Sequence, residues 1–352
     1  MNFKLSFHGG AGTVTGSKYL LETGRERTLI DCGLFQGYRE LREANWRRPA
    51  FEPSEVEAVL LTHAHIDHSG YLPRIVRQGF HGDIYCTPAT KELAEVMLLD
   101  AAKLQEEDAA YANRKGFSRH KPALPLYTEA DAVKAVRRMK TVPYGKWQSI
   151  GKHVRARFHN AGHIVGSAFI EARVSIAERE QTLVFSGDLG RYGVPLHADP
   201  APPPACDALV LESTYGDRTH DTRSLADQVR APFRAALARG GTILIPAFAV
   251  ARVQLLALML RELIDAGDIP DVPIHVDSPM AVDATEIYRR YIDSGELDAE
   301  LAGDGWARHF PKSLHFHDTV EESRKLNHLP GGRIIISPSG MMTGGRVLHH
   351  LR

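Results

Sequence analysis

An α/β fold with a parallel sheet in its second half is predicted by three observations. Short β-type runs alternate with turns in the first half. Strands and helices alternate in the second. Several strand-like runs end in Asp, Glu or His. In chain order, "FKLSFHG" (3–9), "KYLLET" (18–23), "RTLIDCG" (27–33) and "EAVLLTH" (57–63) read as strands between turns. Helical spacing follows over 91–116 and 129–140. Strands return in "HVRARFHNAGH", "SAFIEARVSI", "TLVFSGD" and "ALVLEST". The Pro-rich stretch 198–207 reads as a linker or an ordered crossing loop. Beyond it come helix 221–239, strand 241–247, helix 250–266, strand 272–278, helices 281–293 and 318–328, strand 331–339 and a final helix start. Strands separated by helices imply βαβ units.

Composition narrows the classes. The chain has 352 residues, 43% of them hydrophobic, enough for a sizeable core, and its length suggests about two domains. Lys plus Arg and Asp plus Glu both number 43, so binding to a polyanion requires a local basic patch. Cys32, Cys86 and Cys206 are far apart and odd in number, which fits a reducing compartment rather than a disulfide framework. The N-terminus lacks a signal-peptide core, and no run reaches the roughly 20 apolar residues of a membrane span. A soluble cytoplasmic protein is expected.

The chemistry concentrates at strand ends. "TLI" leads to Asp31, "AVLL" to His63, His65, Asp67 and His68, "TLVFSG" to Asp188 and "ALVL" to Glu212. His163 occupies the glycine-flanked turn of "HNAGHIVGS". Strand ends converge on one rim of a sheet, where α/β proteins place their sites. In an extended stretch His63, His65 and Asp67 share one side, because side chains alternate. His68 then points to a second centre, or a turn intervenes. One ion cannot comfortably take four ligands from six residues; two adjacent ions can. Imidazole with carboxylate favours Zn²⁺ over Mg²⁺, with Mn²⁺ or Fe left open. A lone histidine fits a satisfied polar core; this cluster does not.

"HAHIDH", with "LIDCG" before it and "AGHIVGS" and "FSGDLG" after it, resembles the metallo-β-lactamase superfamily. "LESTYGDR", "DSPMAV" and "SPSGMMTGGRVLHHL" resemble its β-CASP branch, the RNA-processing nucleases related to the mRNA 3′-end cleavage endonuclease. The resemblance implies an αββα sandwich (1–210) with an inserted β-CASP domain (211–352). It implies two zinc ions and a zinc-dependent ribonuclease, endonuclease or 5′-exonuclease or both, that hydrolyses phosphodiesters by a metal-bound hydroxide. Single-stranded RNA is the implied partner, no membrane is, and a homodimer is allowed.

Carried over by position, His63, His65 and His163 would hold the first zinc, Asp67 and His68 the second, and Asp188 would bridge them. Asp31 would orient a ligand histidine, and Glu212 would support a catalytic histidine. Asp67 and Asp188 would also orient the attacking water. The family's return to its first domain, with a proton-donating histidine and a further ligand for the second zinc, is not found before "VLHHLR". His349 and His350 do not replace it. The second zinc is therefore expected to be weak, and cleavage slow.

Three second-half loops, 246–254, 277–285 and 337–345, each lead from a strand into a helix. Their backbone N–H groups, with Ser278, Ser339, Gly340, Arg252 and Arg346, suit a chain of phosphates. Ordinary turn chemistry is the alternative. Basic runs at 113–121 and 136–140, with Phe117 and Tyr127 nearby, are groove-edge candidates. Two other functions remain: a hydrolase of a small thioester or lactam, because the same metals serve that chemistry, and a catalytically impaired RNA-binding scaffold.

Overall fold

The computed structural model describes residues 3–176, 179–303, 305–338, 342 and 345–351. The chain divides into two compact units. Met1–Arg191 with Pro200–Gly216 form the first, and Tyr192–Asp199 with Asp217–Arg352 form the second.

The first unit runs β1 (Phe3–Gly9), β2 (Lys18–Thr23), β3 (Glu26–Ile30), α1 (Arg39–Ala44), β4 (Ala58–Leu60), α2 (Ile66–Ser69), α3 (Leu72–Arg77), β5 (Asp83–Cys86), α4 (Pro88–Lys115), α5 (Glu129–Arg137), β6 (Met139–Thr141), β7 (Trp147–Ser149), β8 (Val154–Asn160), β9 (Ala168–Ile176), β10 (Arg179–Phe185) and β11 (Ala208–Val210). The strands form a six-stranded sheet ordered β1 to β6 and a five-stranded sheet ordered β11-β10-β9-β8-β7. Alternating apolar residues of both sheets meet between them. Leu21, Ile30 and Leu60 face Phe158, Ile170 and Phe185 in one buried cluster.

Strand direction prepares the site. β3 and β4 are parallel, as are β10 and β11. Each parallel pair therefore brings two C-terminal strand ends to the same edge.

Helix boundaries follow local chemistry. α4 starts at Pro88, three residues before the expected start, because Thr87 accepts from Thr90 N and proline suits a first turn. α5 opens on a capping box between Thr128 and Asp131. It ends before Met139, which joins β6 against β5 instead of extending the helix as the sequence suggested.

The second unit holds α6 (Leu225–Ala238), β12 (Thr242–Pro246), α7 (Arg252–Asp265), β13 (Ile274–Asp277), α8 (Pro279–Arg290), β14 (Leu314–His317), α9 (Val320–Leu326), β15 (Arg333–Ser337) and α10 (Val347–His350). Its four strands are all parallel, in the order β12-β15-β13-β14. Leu260 and Leu263 of α7 pack with Ile274, Val276, Ile334 and Ile336, which supply a sheet buried by helices. No described helix is long and apolar enough to cross a membrane.

Candidate metal centre

His63 and Asp31 meet because β3 and β4 end together. Asp31 is fully buried and takes a positive φ of 56°, a conformation that costs energy and that short polar residues tolerate best. Its Oδ1 accepts from Thr62 N at 2.8 Å and from Thr62 Oγ1 at 2.9 Å. Its Oδ2 lies 2.7 Å from His68 Nδ1 and accepts from Ser17 Oγ at 3.3 Å.

The Thr62 hydroxyl has a single proton, and it goes to Asp31. At 3.0 Å from His63 Nδ1, Thr62 Oγ1 must then accept, so His63 carries its proton on Nδ1. The Nε2 lone pair is left facing the site. Sequence reasoning missed Thr62 and Ser17; the threonine immediately before the first histidine was the available signal.

His65 does not continue an extended strand. It precedes α2, and the turn placed by the sequence among two alternatives is a short helix. Residues 32–34 dock on this helix: Cys32 N donates to His68 O at 2.7 Å and Leu34 N to Ile66 O at 2.9 Å. Gly33 is required there, since a Cβ would fall 1.5 Å from Asp67 O.

Three ring nitrogens converge. His65 Nδ1 lies 3.1 Å from both His63 Nε2 and His163 Nε2. Asp188 Oδ2 stands 3.7 Å from His63 Nε2 and 3.5 Å from His163 Nε2, while its Oδ1 is 3.1 Å from His68 Nε2. Asp67 Oδ2 is 4.0 Å from His68 Nε2. Ligand atoms of His63, His65, His163 and Asp188 all lie within 4.8 Å of one another.

Nitrogens bound at 2.0–2.1 Å in a tetrahedron would sit about 3.3 Å apart, close to the observed spacing. A single proton on His65 Nδ1 cannot make two full hydrogen bonds, so a cation suits this set better than hydrogen bonding alone. The donor set therefore fits a divalent metal.

Electrostatics agree. Burial lowers the pKa of His63 well below the ordinary value, and His68 adds to the effect. Burial also opposes charge on His68, but Asp31 and Asp188 outweigh it and raise that imidazole well above the usual value. Burial would raise Asp188, yet His68, His63 and His163 hold its carboxyl far below the carboxylate range. Positive charge is thus favoured between these carboxylates.

His68 and Asp188 open onto a cavity of about 290 Å³ bordered by Gly10, Thr13, Ser17 and Glu212. Glu212 Oε1 accepts from Leu189 N at 2.9 Å, bracing the backbone beside Asp188.

The second-unit candidates lie differently. Arg252 is exposed at the start of α7. Ser278 is buried, and its Oγ accepts from Ala281 N at 3.1 Å, so the hydroxyl serves the start of α8. Arg346 donates to Asp277 Oδ1 at 2.7 Å and to the His317 and Asp318 carbonyls. Ser339 and Gly340 lie outside the described residues. Tyr127 is buried rather than available at a groove edge.

Residues 11–246 match the metallo-beta-lactamase superfamily and residues 253–352 match the Beta-Casp domain. Ribonuclease TTHA0252 of Thermus thermophilus is 39% identical over 98% of this chain and 74% of its own length. The transcription termination factor FttA of Methanothermobacter thermautotrophicus is 33% identical over 99% of this chain and 54% of its own. An RNase J-like protein of Methanocaldococcus jannaschii is 29% identical over 99% of this chain and 74% of its own. The chain thus spans about three quarters of two of these relatives and about half of the third. Matches that cover nearly the whole sequence make the chain a member of the metallo-beta-lactamase superfamily, with a Beta-Casp domain in its C-terminal part.

Proposed function

We propose that this chain is a metal-dependent ribonuclease that hydrolyses phosphodiester bonds of single-stranded RNA in the cytoplasm, with zinc as its metal. The observation that carries the reading is the convergence of His63, His65 and His163 nitrogens on Asp188 at ligand-like spacing. The names of the curated relatives supply the substrate class. Three unpaired cysteines are in keeping with a reducing compartment.

In this reading His63, His65 and His163 would hold one ion, His68 and Asp67 would hold a second and weaker one, and Asp188 would serve as a ligand shared by both. Bound divalent ions supply Lewis acidity toward phosphate oxygens and water. The protein's own groups do the rest. Thr62 fixes the tautomer of His63. Asp31 holds the His68 ring, as carboxylates behind ligand histidines do. Asp67 and Asp188 accept the hydrogen bond that aims the attacking water. Glu212 steadies the backbone next to Asp188. Arg252 is an exposed second-unit side chain whose charge suits a phosphate.

The test is incubation of metal-loaded and chelator-treated protein with end-labelled single-stranded RNA, alongside a chromogenic lactam and a thioester. RNA fragments that appear only with metal are expected. Turnover of the lactam or thioester with intact RNA would replace this reading with a small-molecule hydrolase. RNA binding without any cleavage would leave a scaffold.

A further inference from the structure

In two segments that contain none of the candidate metal ligands, the first unit gathers positive charge and aromatic rings. Segments 38–48 and 111–121 together hold eight Lys or Arg and two Glu, in a chain whose totals are 43 of each sign. Arg42, Arg47, Arg114, Lys115, Arg119 and Lys121 are all exposed, and none forms an ion pair among the described residues. Between them stand four exposed rings: Tyr38 (81%), Trp46 (53%), Tyr111 (47%) and Phe117 (67%). Burying such rings is the usual preference, so four in one charged region call for a partner.

The two segments adjoin. Glu43, held below the carboxylate range chiefly by Arg39, also feels Arg119 and Arg47. Arg74 lines a cavity of about 390 Å³ with Trp46 and Arg48, and donates to Leu126 O at 3.0 Å just beyond the second segment.

Both segments are also held in place. Asn45 bonds the N–H and the C=O of Phe35 at 2.9 and 2.8 Å. Asn113 does the same to Ala123 at 2.7 and 2.9 Å. A partner would pay little ordering entropy on such a surface. The first segment begins seven residues after Asp31, on a stretch bonded to α2, so its start lies at most about 25 Å from that aspartate, within reach of a strand bound at the metal rim.

We propose that this basic, aromatic face is an accessory binding surface for single-stranded RNA, with bases stacked on Tyr38, Trp46 and Phe117 and phosphates met by Arg42, Arg47, Arg119 and Lys121. Unpaired cations favour a polyanion, and interleaved flat rings favour unstacked bases over a uniformly acidic protein. The proposal rests on the RNA reading above and extends it to a second site.

The test compares cleavage and binding of an RNA of about 20 nucleotides with one of about five, too short to reach beyond the metal centre. The full chain carries either Arg47→Glu with Arg119→Glu, or Tyr38→Ala with Phe117→Ala. Each pair is expected to weaken binding of the long strand at least about tenfold. Cleavage of the short strand should not change. The charge-reversed pair should also flatten the salt dependence of binding by about one unit of slope per lost phosphate contact.

Unchanged affinity for the long strand would overturn the proposal. Equal losses on both lengths would do so too, by tying these residues to the metal centre. Loss in the charge variant alone would leave a plain polyanion surface and no base stacking. Ultraviolet crosslinking of the unaltered protein, which needs no variant to fold, should attach RNA to peptides bearing Tyr38, Trp46 or Phe117; crosslinks elsewhere only would refute it. If the long strand binds this face but is never cut, the ribonuclease reading fails and this one survives.

Discussion

Each unit buries an aspartate at the end of a strand, and each aspartate grips a histidine. Asp31 follows β3 and meets His68 Nδ1 at 2.7 Å; Asp277 ends β13 and meets His350 Nε2 at 2.8 Å. Both carboxylates are 0% exposed. The difference lies in where the hydrogen bonds go next. His68 turns its other nitrogen to Asp188 and the cavity. His350 turns its other nitrogen to Asn327 Oδ1 at 2.6 Å, and Asn327 donates in turn to His349 O.

Ser323 and Arg346 complete the shell around Asp277. Burial would raise its pKa, but His350, Ser323 and Arg346 hold it below the carboxylate range. One network ends on groups that can take a ligand; the other closes on itself. A buried carboxylate at a strand end therefore says little about function until its partners are traced.

Substitutions can break this contrast. The largest effect is expected at the open network. Asp188→Ala should cut RNA hydrolysis by about a thousandfold or more, the several kcal/mol that metal assistance supplies, while RNA binding persists. Single-turnover cleavage and a binding titration measure the two parts. Near-normal rates would show that the open network is not catalytic.

The closed network should answer in stability instead. Asp277→Ala strands Arg346 and His350 beside a cavity and should cost about 3 kcal/mol in urea unfolding, with metal content unchanged. A loss of bound metal in this variant would erase the distinction between the networks.

Asp31→Asn keeps an acceptor for the Thr62 N–H but removes the charge behind His68. A tenfold to hundredfold fall in metal affinity is expected, roughly what such outer partners contribute elsewhere. Competition with a chelator measures it. An unchanged affinity would make Asp31 a packing residue, like its counterpart.

The smallest effect sharpens the picture of the second unit. His197 lies 2.9 Å from Tyr288 Oη, and burial, with a contribution from Arg252, pushes its pKa down to about 3. Unfolded, it binds a proton near pH 6.5. Between those values the unfolded chain holds the extra proton. Stability is therefore complete above about pH 6.5 and falls on acidification by up to about 1.4 kcal/mol per unit from this residue. In His197→Gln that slope should be shallower in urea titrations across pH 4–6.5. An identical slope would assign the acid sensitivity to another group, such as His275, which burial pushes down to about 4.

The parts legible in the sequence were those with strong local signals. Apolar β-type runs leading to Asp31, His63 and Asp188 marked their strands, and the HxHxDH spacing pointed to a metal. Elements of three or four residues, such as β5, β6, β7 and β14, are too short for periodicity to register. α2 escaped because a single helical turn carries no repeat. Ser278 shows the opposite error. Ser followed by Pro is a helix-start signal in its own right, and its burial leaves that role rather than contact with phosphate. Arg346 looked available because its partner, Asp277, lies 69 residues away. Thr62 and Ser17 stayed hidden because a hydroxyl advertises nothing until the groups around it are known.

The candidate ligands do not all hang from one sheet. His63 and His65 follow β4 in the six-stranded sheet, whereas His163 and Asp188 follow β8 and β10 in the five-stranded one. An ion seated among them would act as a rivet through the sandwich, and its binding energy would add to the cohesion of the two layers. Scarcity of metal would then loosen the framework as well as silence the chemistry.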